Sequence, residues 1–149
     1  MMRSKRFEPI RQIASASAID LSRAMGEAGR RVDDLENQFE QLKHYRDEYL
    51  GHSPAKGGVM DAVKIQNYRS FIERLGAALR QQGFKLDDAR AEYENRRVQW
   101  SEKRVEAESL GRVIDRYRKE ERYAADRHEQ REGDDAALRV SCGYGTAPK

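Results

Sequence analysis

The chain has 149 residues, of which 37% are charged and 38% hydrophobic, where a typical soluble domain is charged at about 25% of positions. Its 29 basic and 26 acidic residues leave a net charge of only +3, an excess too small and too well mixed to demand a nucleic-acid partner. A mean hydropathy of −1.00 argues against a globule and leaves disorder or an extended helical assembly, between which the spacing of the apolar residues must decide.

The N-terminal stretch Met1-Met2-Arg3-Ser4-Lys5-Arg6-Phe7 is basic, and no apolar run follows it, so no secretory leader is expected. A first helix is predicted over about 8–49, with Pro9 in its first turn, where a missing N–H is no loss. Within it Leu21, Met25, Ala28, Val32, Leu35, Phe39, Leu42, Arg46 and Tyr49 follow alternate steps of four and three. The breakers Gly51-His52-Ser53-Pro54-Ala55-Lys56-Gly57-Gly58 then predict a loop over 50–59. A second helix is expected over about 60–132. There Tyr68, Ile72, Leu75, Leu79, Gln82, Leu86, Ala89, Tyr93, Arg96, Trp100, Lys103, Ala107, Leu110, Ile114 and Tyr117 keep the same alternation. Residues 133–149 read as a disordered, flexible tail. The lone cysteine, Cys142, cannot form an internal disulfide and suits a reducing compartment.

A 3.5-residue repeat held over several heptads, with charges between, is the pattern of a coiled coil. The fold class expected is therefore all-α, a long antiparallel two-helix hairpin over 1–132. A loop of about ten residues favours an antiparallel return. At 1.5 Å per residue the two helices would measure ~60 Å and ~100 Å. This pairing sets Tyr49 near Tyr68 and Phe7 near Leu110, and leaves the second helix overhanging past Leu110. Gly76 and Gly83, each costing ~1 kcal/mol against Ala, read as points of close approach or of a bend.

No catalytic arrangement is present, and no cofactor is expected. His44, His52, His128 and Cys142 share no metal-ligand spacing. Gly57-Gly58 lacks a phosphate-loop context. The acidic pairs Asp33-Asp34 and Glu120-Glu121 are sequence neighbours on helices and do not face one another, and a helical hairpin offers no water-excluding pocket. The basic pairs Arg30-Arg31, Arg96-Arg97, Lys103-Arg104 and Arg118-Lys119 are interleaved with acids, as in Glu27 to Arg31, Glu102 and Glu106 around Lys103, and Asp115 to Lys119. They read as a salt-bridged solvated face rather than a nucleic-acid surface. No span is apolar enough for membrane insertion.

The hairpin end carries an apolar face wider than two helices need. Gln38, Leu42, Tyr45 and Tyr49 form one stripe, and Phe71, Leu75, Ala78 and Gln82 a second. Leu42, Tyr49 and Leu75 belong to the seam, whereas Tyr45, Phe71 and Ala78 lie beside it. Two readings stand on spacing alone: the extra aromatics shield the end of the seam, or they anchor another protein.

The segments Gln38-Phe39-Glu40-Gln41-Leu42-Lys43-His44-Tyr45-Arg46-Asp47-Glu48-Tyr49 and Ile65-Gln66-Asn67-Tyr68-Arg69-Ser70-Phe71-Ile72-Glu73-Arg74-Leu75 resemble the flagellar export protein FliJ family, in the pattern L-x-x-Y-x-x-E-Y, loop, N-Y-x-x-F-I-x-x-L. Trp100-Ser101-Glu102-Lys103-Arg104 resembles its W-x-x-K segment, and the chain departs from it at Gln82, where members carry histidine. The resemblance, over about residues 7–130, implies a non-enzymatic component of the flagellar type III export apparatus, in the cytoplasm and peripherally at the inner membrane. Its implied partners are the flagellar export ATPase hexamer, which it enters like a rotary stalk and stimulates, the cytoplasmic domain of the export gate, and export chaperones. The gate contact would fall on Gln38, Leu42, Tyr45, Tyr49, Phe71, Leu75, Ala78 and Gln82. The ATPase contact would fall on the end carrying both termini, near 7–21 and 110–123. The alternatives are a generic coiled-coil adaptor and a basic helical hairpin that binds nucleic acid.

Overall fold

The computed structural model describes residues 2–52 and 61–144. They form two α-helices, α1 (Arg3–Gly51) and α2 (Ala62–Tyr144), with no strand among the described residues. The helices contribute to two compact units, a hairpin unit of Ile19–Glu102 and a terminal unit of Met1–Ala18 with Lys103–Lys149.

In the hairpin unit the helices are antiparallel, because partners descend α2 as they ascend α1. A Cβ built on Gly29 would lie 3.4 Å from the Tyr93 ring. Glu36 meets Arg90 at 2.9 Å and Gln38 meets Gln82 at 2.8 Å, and the Tyr49 and Phe71 rings lie 4.5 Å apart. Leu35, Leu86 and Ala89 form the core cluster, with Val32 and Phe39 packed on it. Leu75 and Leu79 are also buried. Each such leucine contributes about 1.5–3 kcal/mol of burial. Arg46, Gln82 and Arg96 occupy seam positions and are half-buried; Gln82 bonds across to Gln38 and Arg96 to Glu92, while the Arg46 Nε is buried without a hydrogen-bond partner.

The terminal unit is centred on Ile114, which is fully buried, with Ala14 and Ser4 nearly so. Phe7 stacks on Tyr117 at 5.6 Å between ring centroids, and the Arg3 guanidinium lies 5.7 Å over the same Tyr117 ring. Arg118 Nη2 donates to Glu8 Oε2 at 3.2 Å. The Ser4 hydroxyl donates to Glu121 Oε2 at 2.6 Å, and the Ser4 backbone N–H donates to Glu121 Oε1 at 3.0 Å. From Arg122 to Gly143 every side chain is exposed.

The predicted seam holds closely. Every α2 position from Tyr68 to Tyr117 in the alternating series is buried or half-buried, as is every α1 position except Tyr49, which is 40% exposed. Five expectations are corrected. Helix α1 starts at Arg3 rather than near residue 8, so Pro9 is interior to it; tertiary bonds to Ser4, Phe7 and Glu8 hold the turn that a proline would otherwise release. Phe7 meets Tyr117, one heptad beyond the expected Leu110, because a heptad shift leaves the same faces apolar and periodicity cannot choose between the two registers. Helix α2 continues through 133–144, where the expected tail begins. Gly133 costs only ~1 kcal/mol, and Ala136, Ala137, Leu138 and Arg139 favour helix. Finally, Gly76 and Gly83 are not points of forced close approach, since a Cβ there would find neighbours at ordinary distances of 3.6 and 3.8 Å. Of the expected loop, Leu50 and Gly51 are helical. Residues 53–60, with Pro54, and residues 145–149 lie outside the described residues.

Candidate protein-docking site

Three aromatic side chains meet at the hairpin end because the chain reverses between them. Tyr45 and Tyr49 are one turn apart on α1, with ring centroids 5.4 Å apart. Phe71 comes across from α2 to lie 4.5 Å from Tyr49 and 6.2 Å from Tyr45, the latter edge-on at 80°. Aromatic pairs at these separations favour tilted or T-shaped geometry. The Tyr68 hydroxyl donates to the Tyr49 carbonyl at 3.2 Å, which also accepts the His52 N–H at the end of α1. Tyr45 and Tyr49 remain 44% and 40% exposed, a large rigid area open to solvent. Phe71 is half-buried beneath them.

The other residues of the two stripes divide by depth. Leu42 and Ala78 are half-buried, and Leu75 is buried in the seam, so it supports the patch rather than presenting a surface. Gln82 Nε2 donates to Gln38 Oε1 at 2.8 Å. This polar pair clasps the two helices below the aromatic triad. Beside it, Phe39, Lys43, Arg46, Gly76, Leu79 and Gly83 line a shallow groove.

Outside this end Arg90–Glu36, Arg118–Glu8 and Ser4–Glu121 cross between the helices, and the other charged pairs are local. The Arg96–Glu92, Arg97–Glu94, Lys103–Glu106 and Arg104–Glu108 pairs all form along one helix, as the interleaved charges predict. The Arg97 guanidinium holds the Glu94 carboxyl below its usual range by hydrogen bonding. Neither Glu27 with Arg31 nor Asp115 with Lys119 makes such a pair. His44 contacts Glu48, His128 contacts Glu132 and His52 contacts the Glu48 carbonyl. No group of three His, Cys, Asp or Glu side chains suited to a metal occurs among the described residues.

The contacts of Ser4, Glu8, Arg118 and Glu121 are not among the sequence expectations, although a signal for this end of the seam exists. Continuing the four-three alternation backwards from Leu21 gives Ala18, Ala14, Arg11, Phe7 and Ser4, each buried or half-buried.

The family described as "Flagellar FliJ protein" matches residues 3–142 of this chain. The chain belongs to the flagellar FliJ family. A flagellar FliJ protein from Salmonella typhi is 24% identical over 136 residues, an alignment that covers 91% of this chain and 92% of that protein. FliJ membership gives the chain a role connected with flagellar protein export and flagellum biogenesis, in association with the export apparatus. It also fits a component without catalytic activity of its own. No helix among the described residues is long and apolar enough to cross a membrane.

Proposed function

We propose that this chain is a cytoplasmic, stalk-like adaptor of the flagellar type III export apparatus, peripheral to the inner membrane. It engages and stimulates the export ATPase hexamer, docks on the cytoplasmic domain of the export gate, and escorts export chaperones, in support of flagellum assembly and motility. The observation that carries this reading is the FliJ match over residues 3–142. The Tyr45–Tyr49–Phe71 cluster, with its two tyrosines exposed, supports the gate assignment, because tyrosines are among the residues most enriched as binding anchors. Gln38, Leu42, Leu75, Ala78 and Gln82 complete or underpin that surface. The terminal unit, with both helix segments near the chain ends, is assigned to the ATPase.

The test separates the two contacts. Tyr45→Ala removes an exposed ring outside the seam, so helicity and ATPase stimulation should persist while binding to the isolated gate domain falls on the order of tenfold or more. Phe71→Ala should act in the same direction, since it contacts both tyrosines. Deleting residues 1–20 should abolish ATPase stimulation and leave gate binding. Normal gate binding by both aromatic variants would mean that the rings only close the seam.

A further inference from the structure

Gly76 and Gly83 stand one heptad apart on α2, each directly after a seam residue, and so on the opposite flank of the seam from Phe71 and Ala78, which each precede one. Without side chains there, that flank is left uncovered, and Phe39 and Leu79 floor a groove of about 400 Å³. Its walls are cationic: Lys43, Arg46 and Arg80 line it and no acidic residue does. Arg80 lies over Gly76, with its Nη1 3.6 Å from where a Cβ would stand. The residues three and four places from it, Gly76, Ala77, Gly83 and Phe84, offer no acid to answer its charge. Arg90, Arg96 and Arg97 further along α2 each hold a carboxylate, but neither Arg80 nor Lys43 makes an ion pair among the described residues. Arg46 gives one nitrogen to Asp47 at 3.3 Å and keeps its Nε buried without a partner. Beyond Gly83 the sign reverses, because Glu40 and Asp87 line the adjoining groove. The cationic stretch is therefore bounded.

We propose that this groove binds an acidic peptide segment of a partner protein, through an apolar side chain followed by carboxylates. The apolar side chain takes the space that Gly83 leaves beside Phe39. The carboxylates face Arg80, Lys43 and Arg46, where charge-assisted hydrogen bonds answer the cations that the chain itself leaves unpaired. Glu40 and Asp87 repel acids at the other end, so the acids of the segment lie on the hairpin side of its apolar residue. A neutral segment gains nothing from the three cations, and a polyanion without an apolar anchor leaves Phe39 uncovered. The site is independent of the gate assignment, which concerns the other flank of the seam.

Fluorescence anisotropy of the full chain with a labelled short peptide of leucines followed by glutamates tests this. The wild type should bind it saturably, and more weakly as salt is raised. The same peptide with glutamine for glutamate, and an all-glutamate peptide, should each bind on the order of tenfold more weakly or worse. Arg80→Glu should weaken binding of the first peptide by a similar factor, whereas Arg74→Glu, the same charge change on α2 outside the groove, should not. Gly83→Leu puts a side chain into the groove at a helical position, so it should keep or raise helicity and still lose binding. A wild type that does not bind, a glutamine peptide that binds equally, equal losses in Arg80→Glu and Arg74→Glu, or full binding by Gly83→Leu would each overturn the proposal. So would an oligodeoxythymidine probe that binds more tightly than the peptide and is lost in Arg80→Glu, since the groove would then be a nucleic-acid site.

Discussion

Ser4 and Glu121 are separated by 117 positions in sequence, yet one carboxylate accepts both the hydroxyl and the backbone N–H of the serine. Helix α1 has no acidic residue in its own first turn. Glu121 of α2 therefore supplies the negative charge that the N-terminal end of a helix dipole favours, and satisfies a donor left over at that end.

A pH dependence follows from this pair. The Ser4 hydroxyl, and then the backbone N–H groups of Ser4 and Arg3, hold the Glu121 carboxyl below its ordinary value of 4.5. A lowered folded-state pKa contributes stability that is fully present above the unfolded value and is lost as pH falls through the folded one. Amide protection, measured against the intrinsic exchange rate at each pH, should thus be high over the first turns of α1 at neutral pH and fall below pH 4.5. In Glu121→Gln the exchange should be faster at neutral pH and lose that acid step.

Pro9 is interior to α1 and removes one helical hydrogen bond. Pro9→Ala restores the bond and relieves the ring clash, with a gain of up to about 3 kcal/mol. Urea unfolding should report it as a higher midpoint at an unchanged slope. No gain would mean that the helix before Pro9 is held wholly by its contacts with α2.

Glycines in α1 offer a paired comparison. A Cβ at Gly26 would meet nothing within 4 Å, whereas one at Gly29 would sit 3.4 Å from the Tyr93 ring. Gly26→Ala should stabilise by about 1 kcal/mol through helix propensity. Gly29→Ala should gain less, because the Tyr93 ring is already at contact. Thermal unfolding of the two variants side by side decides this.

Buried and exposed residues on α2 should respond very differently. Leu86 is 5% exposed and Ile114 fully buried, and truncating either to Ala should cost about 2–5 kcal/mol. Phe84 lies only two places from Leu86 but is exposed on the outer side of the helix, so Phe84→Ala leaves no cavity. Its effect on stability should stay within about 0.5 kcal/mol. Denaturant titration separates the two classes.

The seam was legible from sequence because burial on a paired helix must recur at three and four residues, and leucines and aromatics mark that spacing from Leu21 to Tyr49 and from Tyr68 to Tyr117. The aromatic cluster was legible for the same reason: Tyr45 and Phe71 break the spacing on the same side of the hairpin. The register was not. Phe7 against Leu110 and Phe7 against Tyr117 differ by one heptad and bury equivalent faces, so only specific pairs such as Ser4 with Glu121 distinguish them. The start of α1 was hidden too, since Pro9 argues locally for a helix beginning there, and the contacts that carry it back to Arg3 come from the far end of α2.

Beyond Glu121, helix α2 runs on with every described side chain exposed as far as Gly143, held by its own backbone bonds and by local pairs such as His128–Glu132 at 3.2 Å. Isolated helices of this kind are marginal in water, so the balance between helix and coil there lies within reach of a few contacts from outside. The helical content of these residues becomes a gauge of occupancy. A partner that grips them in helical form deepens the circular dichroism minimum, and one that takes them extended diminishes it, with the packed units unchanged in either case.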